Sequence, residues 1–304
     1  MAGLITTASN PKALWPGIKA WWGTAYDEHE VEYTDLFDMD TSRQNYEDDV
    51  QMTTFGLVPR KPEGQTILFD SEVQGFVTRY VHIAYALGFI VTREERDDNL
   101  YPIVGKKRAQ ALAFSFRQTK ENIAANVYNR AFNSTYVGGD GVSLLNTAHP
   151  NTTGGTFSNK IAVDVDLSEA ALEQACIDIM GYSNDRGLLI SVMPKVLLVS
   201  RFDWFNANRI LKSVYQPGNA NNDLNILKAT NAFPEGIKIN HYFTSPHAWF
   251  VRTNVQRGMI HYSRVPIQFS EDNDFDTYNM KYKGYERYSF GWTDPRGLYG
   301  SNGP

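Results

Sequence analysis

The sequence predicts an α+β fold with an extended N-terminal arm, on three observations. Residues 77–91 alternate between apolar and smaller or polar side chains, the period of two of a half-buried strand. Residues 99–133 switch to helical spacing, with no glycine between Gly105 and Gly138. Residues 167–253 alternate helical and strand-like stretches, the pattern of an α/β portion.

The arm comes first. Residues 1–60 hold no sustained period, and Pro11, Pro16, Gly17 and Gly23 interrupt them early. They are acidic from Asp27 to Asp49 and carry Trp15, Trp21, Trp22, Tyr26, Tyr33, Phe37 and Tyr46. The expectation is an extended arm with one or two short helical stretches, chiefly one at about 27–40. With no core of its own, it needs a surface to lie on. In residues 67–73, Ile67, Phe69, Ser71 and Val73 alternate with their neighbours, and the alternation resumes from Val77 to Val91. A single strand over 77–91 would span roughly 50 Å, far beyond the usual length. One long hairpin turning near Ser71–Gly75 is therefore expected. It must rest on its own body or on a neighbouring chain, because isolated hairpins are marginal in water.

The helix over 99–133 follows. Pro102 falls in its first turn, where proline is tolerated. Glu94, Glu95, Asp97 and Asp98 precede it, suiting a helix N-terminus. Leu112, Phe116, Ile123 and Val127 mark one apolar face, and Lys106, Lys107, Arg108, Arg117 and Lys120 lie off it. About 30 residues at 1.5 Å each give a strut of roughly 45–50 Å. Turn-rich residues 134–160 lead to a helix over 167–183. Asp166 or Ser168 can cap it, and Leu172, Cys176, Ile179 and Met180 form its stripe. A buried strand at 195–200, a helix at 203–213, an Asn-rich loop at 217–223 and short strands at 237–242 and 249–253 come next. Strand-like alternation returns over 259–292.

Composition narrows the function. A single cysteine, Cys176, excludes a disulfide framework and any multi-cysteine metal site. A net charge of −5 argues against a dedicated nucleic-acid binder. The longest apolar run, 81–91, is about half of what a membrane helix needs. The N-terminus lacks a basic region before an apolar core, so a cytoplasmic product is expected. The motifs of common chemistry fail one by one. Asp272, Asp274 and Asp276 open like a calcium loop, but Thr277 and Lys283 stand where Gly and Glu are required. His29-Glu30 lacks the second histidine of a zinc-protease helix, with Tyr33 in its place. Gly105-Lys106-Lys107 lacks the remainder of a phosphate loop. His149 reads as a hydrogen-bonded loop residue rather than a general base. No catalytic, cofactor-binding or metal site is expected.

Several stretches carry a resemblance. Asp140-Gly-Val-Ser-Leu-Leu-Asn-Thr-Ala-His149-Pro150, then Gly154-Gly155, Asn159 and Leu167-Ser-Glu-Ala-Ala-Leu, are similar to the Asp-Gly…His-Pro region of Mu-like major head subunits. Pro194-Lys-Val-Leu-Leu-Val199, Asn222-Asp-Leu-Asn225 and Trp249-Phe-Val-Arg252 resemble further stretches in the same order. The close Asp294-Pro-Arg-Gly-Leu-Tyr-Gly-Ser301 resembles that family's ending, with Asp-Pro replacing an aromatic. Residues 60–301 thus resemble the major capsid proteins of tailed bacteriophages, which have the Hong Kong 97-like fold.

The resemblance implies a division of the chain: 1–60 as N-terminal arm, 61–97 as extended β-hairpin loop, and 98–140 as peripheral domain with its spine helix. It further implies 141–262 as axial domain and 263–304 as returning strands of the peripheral domain. It implies a homo-oligomer of pentamers and hexamers forming an icosahedral shell around packaged double-stranded DNA. The shell would be assembled in the host cytoplasm and found as the virion capsid, with no membrane. A separate scaffold protein, a portal protein and, optionally, a decoration protein are the other partners. Trp15, Trp21, Trp22, Phe69, Glu72, Arg79 and Tyr85 are the expected intersubunit contacts. Lys106, Lys107 and Arg108 are candidates to face the DNA, against the alternative of a solvated helical face. No lysine lies between Lys61 and Lys106, so the covalent loop cross-links of one family branch are not expected. The alternatives are a nanocompartment shell that encloses enzymes, and a soluble β-rich enzyme.

Overall fold

A 29-residue helix sits between two four-stranded sheets and organises the rest of the chain. The computed structural model describes residues 22, 26–27, 30–97, 101–216, 223–274 and 276–304, without the side chains of 96 and 101–106. In chain order the elements are α1 (Tyr33–Leu36), β1 (Asp38–Thr41), β2 (Tyr46–Met52), β3 (Gln74–Val81), β4 (Ile83–Val91), α2 (Arg93–Asp97) and α3 (Tyr101–Asn129). There follow β5 (His149–Pro150), β6 (Thr156–Phe157), α4 (Glu169–Met180), β7 (Pro194–Ser200), α5 (Trp204–Lys212), α6 (Ile226–Ala229) and β8 (Ile237–Asn240). The last are β9 (Trp249–Thr253), β10 (Met259–Asn273), β11 (Met280–Trp292) and β12 (Leu298–Ser301).

The first sheet has the order β1-β10-β11-β4. Its centre is the long antiparallel pair β10–β11, with Met259 opposite Trp292 and Asn273 opposite Met280. Helix α3 packs on this sheet through Leu112, Ala113 and Phe116, which meet Val91, Met280 and Tyr282. Gly284 makes that approach possible: a Cβ there would lie 2.4 Å from the Phe116 ring. Gly284→Val is therefore expected to lower stability by about 1–3 kcal/mol through overpacking. Chemical denaturation measures it, and an unchanged midpoint would mean that α3 does not press on β11 there.

The second sheet has the order β12-β9-β7-β8. Its strand β7 is buried from Val196 to Ser200, as its unbroken apolar run requires. Helix α4 covers one side with Leu172, Ala175, Cys176 and Ile179. Ser168 caps it by accepting the Ala171 N–H at 3.3 Å, satisfying one of the free donors of the first turn. Burial pushes the Cys176 thiol up to about 11, which suits an inert core residue.

A third cluster joins the sheets. Tyr33, Leu36 and Phe37 pack against Ala124, Ala125 and Tyr128 of α3 and against Val196, Leu198 and Phe250 of the second sheet. The Tyr128 hydroxyl donates to the Leu36 carbonyl at 2.6 Å. The N-terminal segment is thus a wall of the core.

Four expectations change here. The stretch 77–91 is not one arm of a hairpin with 67–73. It divides at His82: β3 pairs with β2, and β4 pairs with β11. The alternation runs through the break because both strands keep alternating faces while their partners change. Of the helix expected over 27–40, the described residues from 30 onward hold the single turn α1, and β1 and β2 follow within the stretch read as arm. The closing strand β12 joins β9 of the second sheet, not the returning strands of the first. Arg117 and Lys120, placed off the apolar face of α3, are 5% and 7% exposed, because the N-terminal segment covers the helix on a second side.

Candidate assembly interface

The hairpin β2–β3 is built from a strand that looks too acidic for one. Its Asp48 is gripped at both oxygens by Arg79 on β3, at 2.7 Å each. The Arg79 hydrogen bonds hold the Asp48 carboxyl below the usual range, and the guanidinium lies 4.4 Å from the Tyr46 ring centre. The neighbouring Asp49 is buried, bound by Arg257 and by the Thr293 hydroxyl, at 2.8 Å each. These bonds fasten the hairpin to the start of the C-terminal segment.

Between β2 and β3 the chain makes an excursion over 53–73. Its base is tied: Asp70 accepts the Gly56 N–H at 2.8 Å and pairs with Arg186 at 3.3 Å. Its tip is not covered. Leu57, Val58, Ile67, Leu68 and Phe69 are all exposed, Val58 by 94% and Phe69 by 95%. Five large apolar side chains on one segment form a patch of the kind that marks an interaction site. Glu72 is exposed at its end. Lys61 lies inside the excursion and is exposed.

The other predicted contact residues divide. Tyr85 on β4 is half-buried and stacks on Tyr288 at 4.8 Å. It lines an open groove of about 580 Å³ with Ile83, Ile123, Val127, Tyr136 and Val137. Trp22 does not face outward: it is 7% exposed and stacks with Tyr26 and Phe269, at 5.2 and 5.3 Å. Its size and its own chain's aromatics keep it in the core. Trp15 and Trp21 lie outside the described residues, as does the Lys106 side chain. Lys107 is exposed, while Arg108 is paired with Glu95 at 2.9 Å.

The motif residues meet in a buried knot. The His149 ring contacts Asp140 Oδ2 through Nδ1 at 2.6 Å and Asn159 Oδ1 through Nε2 at 3.0 Å. Asn159 Nδ2 donates to the carbonyls of Leu144 and Pro295, at 2.7 and 2.9 Å. That fixes Oδ1 as the acceptor that faces His149. Arg296 is 2% exposed. It donates to the Ser183 carbonyl and Asn151 Oδ1 at 2.9 Å, reaches Asp185 at 3.3 Å, and lies 4.0 Å from the Phe157 ring centre. These groups hold loops together. Among the described residues, no group of three or more His, Cys, Asp or Glu side chains could hold a metal ion. No helix among them is long and apolar enough to cross a membrane.

Sequence reasoning missed a second polar cluster, between α3, the N-terminal segment and β11. Lys120 Nζ lies 3.4 Å from Glu286 and 4.8 Å from the Tyr288 ring centre. Arg117 donates to the Tyr26 carbonyl at 3.1 Å and covers the Tyr26 ring at 4.0 Å. Glu121 accepts the Glu32 N–H at 3.0 Å. Burial lowers the Lys120 ammonium, raises the Glu286 carboxyl and pushes His261 down to about 3. The available signal was spacing: Arg117, Glu121, Ala124 and Tyr128 share one stripe of α3.

This geometry meets its counterpart in known proteins. A family model described as phage capsid protein matches residues 76–301. The chain belongs to the phage capsid protein family. Its fold is Hong Kong 97-like, and the solved structures similar to it agree. The crystal structure of a virus-like particle from Pyrococcus furiosus matches with a TM-score of 0.54 at 8% identity, over 94% of this chain and 98% of that one. The capsid of the cyanophage P-SCSP1u matches at 0.54 with 11% identity, over 89% and 87%. The procapsid of bacteriophage JBD30 matches at 0.52 with 14% identity, over 98% and 76%. No curated protein sequence matches. As a phage capsid protein, the chain is a structural component of the head shell.

Proposed function

We propose that this chain is the major head subunit of a tailed double-stranded DNA phage. Copies of it close into an icosahedral shell of pentamers and hexamers that encloses the genome. The observation that supports this most directly is the 53–73 excursion, whose apolar tip has no cover within its own chain. In a shell the tip lies on the next copy, and Tyr85 and its groove offer an apolar seat of suitable character. The closer affinity to Mu-like head subunits rests on the order of the sequence motifs.

The chain works by shape and contact rather than by catalysis. Its net charge of −5 suits a wall that confines DNA without gripping it, since strong basic contacts would oppose packaging and release. Lys107 is the exposed candidate to face the DNA. Assembly takes place in the host cytoplasm, guided by a separate scaffold protein around a portal. The fold is shared with a virus-like particle, so the family match carries the choice of a phage head over a nanocompartment that encloses enzymes. Nuclease-treated particles are expected to yield genome-length duplex DNA. Particles that yield a packed cargo enzyme and no DNA would overturn this reading.

A further inference from the structure

We infer that Glu121 is a protonation-controlled latch that docks the N-terminal segment around Glu32 and Tyr33 onto α3. Glu121 is fully buried. One of its oxygens accepts the Glu32 N–H at 3.0 Å, and the other has no hydrogen-bond partner. A buried carboxylate with a bare oxygen is costly, and a protonated carboxyl is much less so.

The surroundings set the balance. Glu32 and Tyr33 face Glu121 from the N-terminal segment, Arg117 and Lys120 from its own helix, and Tyr242 from the loop after β8, while Glu286 of β11 lies beyond Lys120. The two cations are committed elsewhere: Arg117 to the Tyr26 carbonyl and Lys120 to Glu286. Glu32 itself turns its carboxylate to the His241 ring and backbone N–H. Desolvation and the Glu32 charge oppose ionisation of Glu121, while the Glu32 and Tyr33 backbones and Arg117 favour it. Desolvation is the largest effect, and the carboxyl is pushed up to about 7 from 4.5.

The direction follows from linkage. A carboxyl raised in the docked state adds stabilisation that is fully present below the released value. That stabilisation is lost as pH rises through the docked value. The window here is therefore from about 4.5 to about 7. Docking is expected to be about tenfold weaker at pH 8 than at pH 6. The release is local. Downstream, Leu36 and Phe37 stay in the core, and Arg252 holds the Asp35 carbonyl and Asp38 at 2.9 and 2.8 Å. The lifted portion is the stretch around Glu32 and Tyr33, before Asp35.

Hydrogen exchange of the full chain, read by mass spectrometry on peptides covering 30–36, tests the latch. After correction for intrinsic exchange, protection is expected to fall about tenfold from pH 6 to pH 8. In Glu121→Gln it should stay within about twofold, because the amide keeps an acceptor and cannot ionise. A pH-independent wild type, or an unchanged pH dependence in Glu121→Gln, overturns the proposal. Glu32→Gln provides a second route that keeps Glu121 in place. Removing the facing carboxylate should move the wild-type midpoint to lower pH, and an unmoved midpoint counts against the latch. His241→Asn should retain the dependence; its loss would assign the effect to the histidine instead. The readout belongs to a single chain, so it stands or falls separately from shell assembly.

Discussion

Replacing Leu68 and Phe69 together with aspartate is expected to abolish particles and leave the subunit folded. The two side chains are 74% and 95% exposed. Removing them takes nothing from the chain's own core, so stability should move by no more than about 0.5 kcal/mol. Assembly responds very differently. Burying one such side chain contributes about 1.5–3 kcal/mol, and burying an unpaired carboxylate in its place costs several kcal/mol more. A closed shell repeats that loss at every loop. Sedimentation velocity with circular dichroism reads both sides of the prediction. Normal yields of particles from the double variant would remove the loop from the assembly interface. A collapse of the circular dichroism signal would show that the tip is needed for folding.

Arg296→Ala should have the largest effect on the folded chain itself, about 3–5 kcal/mol of lost stability. The guanidinium is almost fully buried and joins its own turn to the β5–β6 hairpin and to the loop that holds Ser183 and Asp185. It binds Ser183, Asn151 and Asp185, and its plane covers Phe157. Truncation leaves the Asp185 carboxylate, itself 8% exposed, without its cation. Arg296→Lys should restore little, because an ammonium cannot reproduce the fork or the stacking. Denaturant unfolding measures both variants. A loss below about 1 kcal/mol would show that the knot is an accessory to the fold rather than its clasp.

Where periodicity was local, the sequence was legible. The spine helix shows in the spacing of Leu112 and Phe116, and α4 in Ser168 and the stripe from Leu172 to Ile179. The strand β7 shows in its unbroken apolar run. Pairing was not legible, because strand partners are chosen by tertiary packing. The alternation from Val77 to Val91 says nothing of the change of partner at His82. The acidic β2 reads as loop until Arg79 and Arg257 arrive to neutralise Asp48 and Asp49. The N-terminal segment and the closing strands are rich in aromatics. Many of them, including Trp22, Tyr33, Phe37, Tyr282, Tyr288 and Tyr299, are buried in their own chain. Counting residue types could not separate these from Phe69, which is bare. The charges of α3 were misplaced for a related reason: a single apolar face was assumed for a helix that is covered on two sides.

The motif stretch from Asp140 to Asn159 was legible as a family likeness but not as a mechanism. His149 reads in the sequence as a hydrogen-bonded loop residue, and the structure bonds it to Asp140 and Asn159 inside a loop knot whose partners the sequence does not name.

Electron microscopy of the purified full chain, taken at concentrations where capsomers form, tests the central claim most directly. Rings of five or six subunits and curved or closed shells several hundred ångströms across are expected, irregular until the proposed scaffold protein is supplied. A chain that stays monomeric or forms only small compact oligomers, with and without its scaffold, would contradict it.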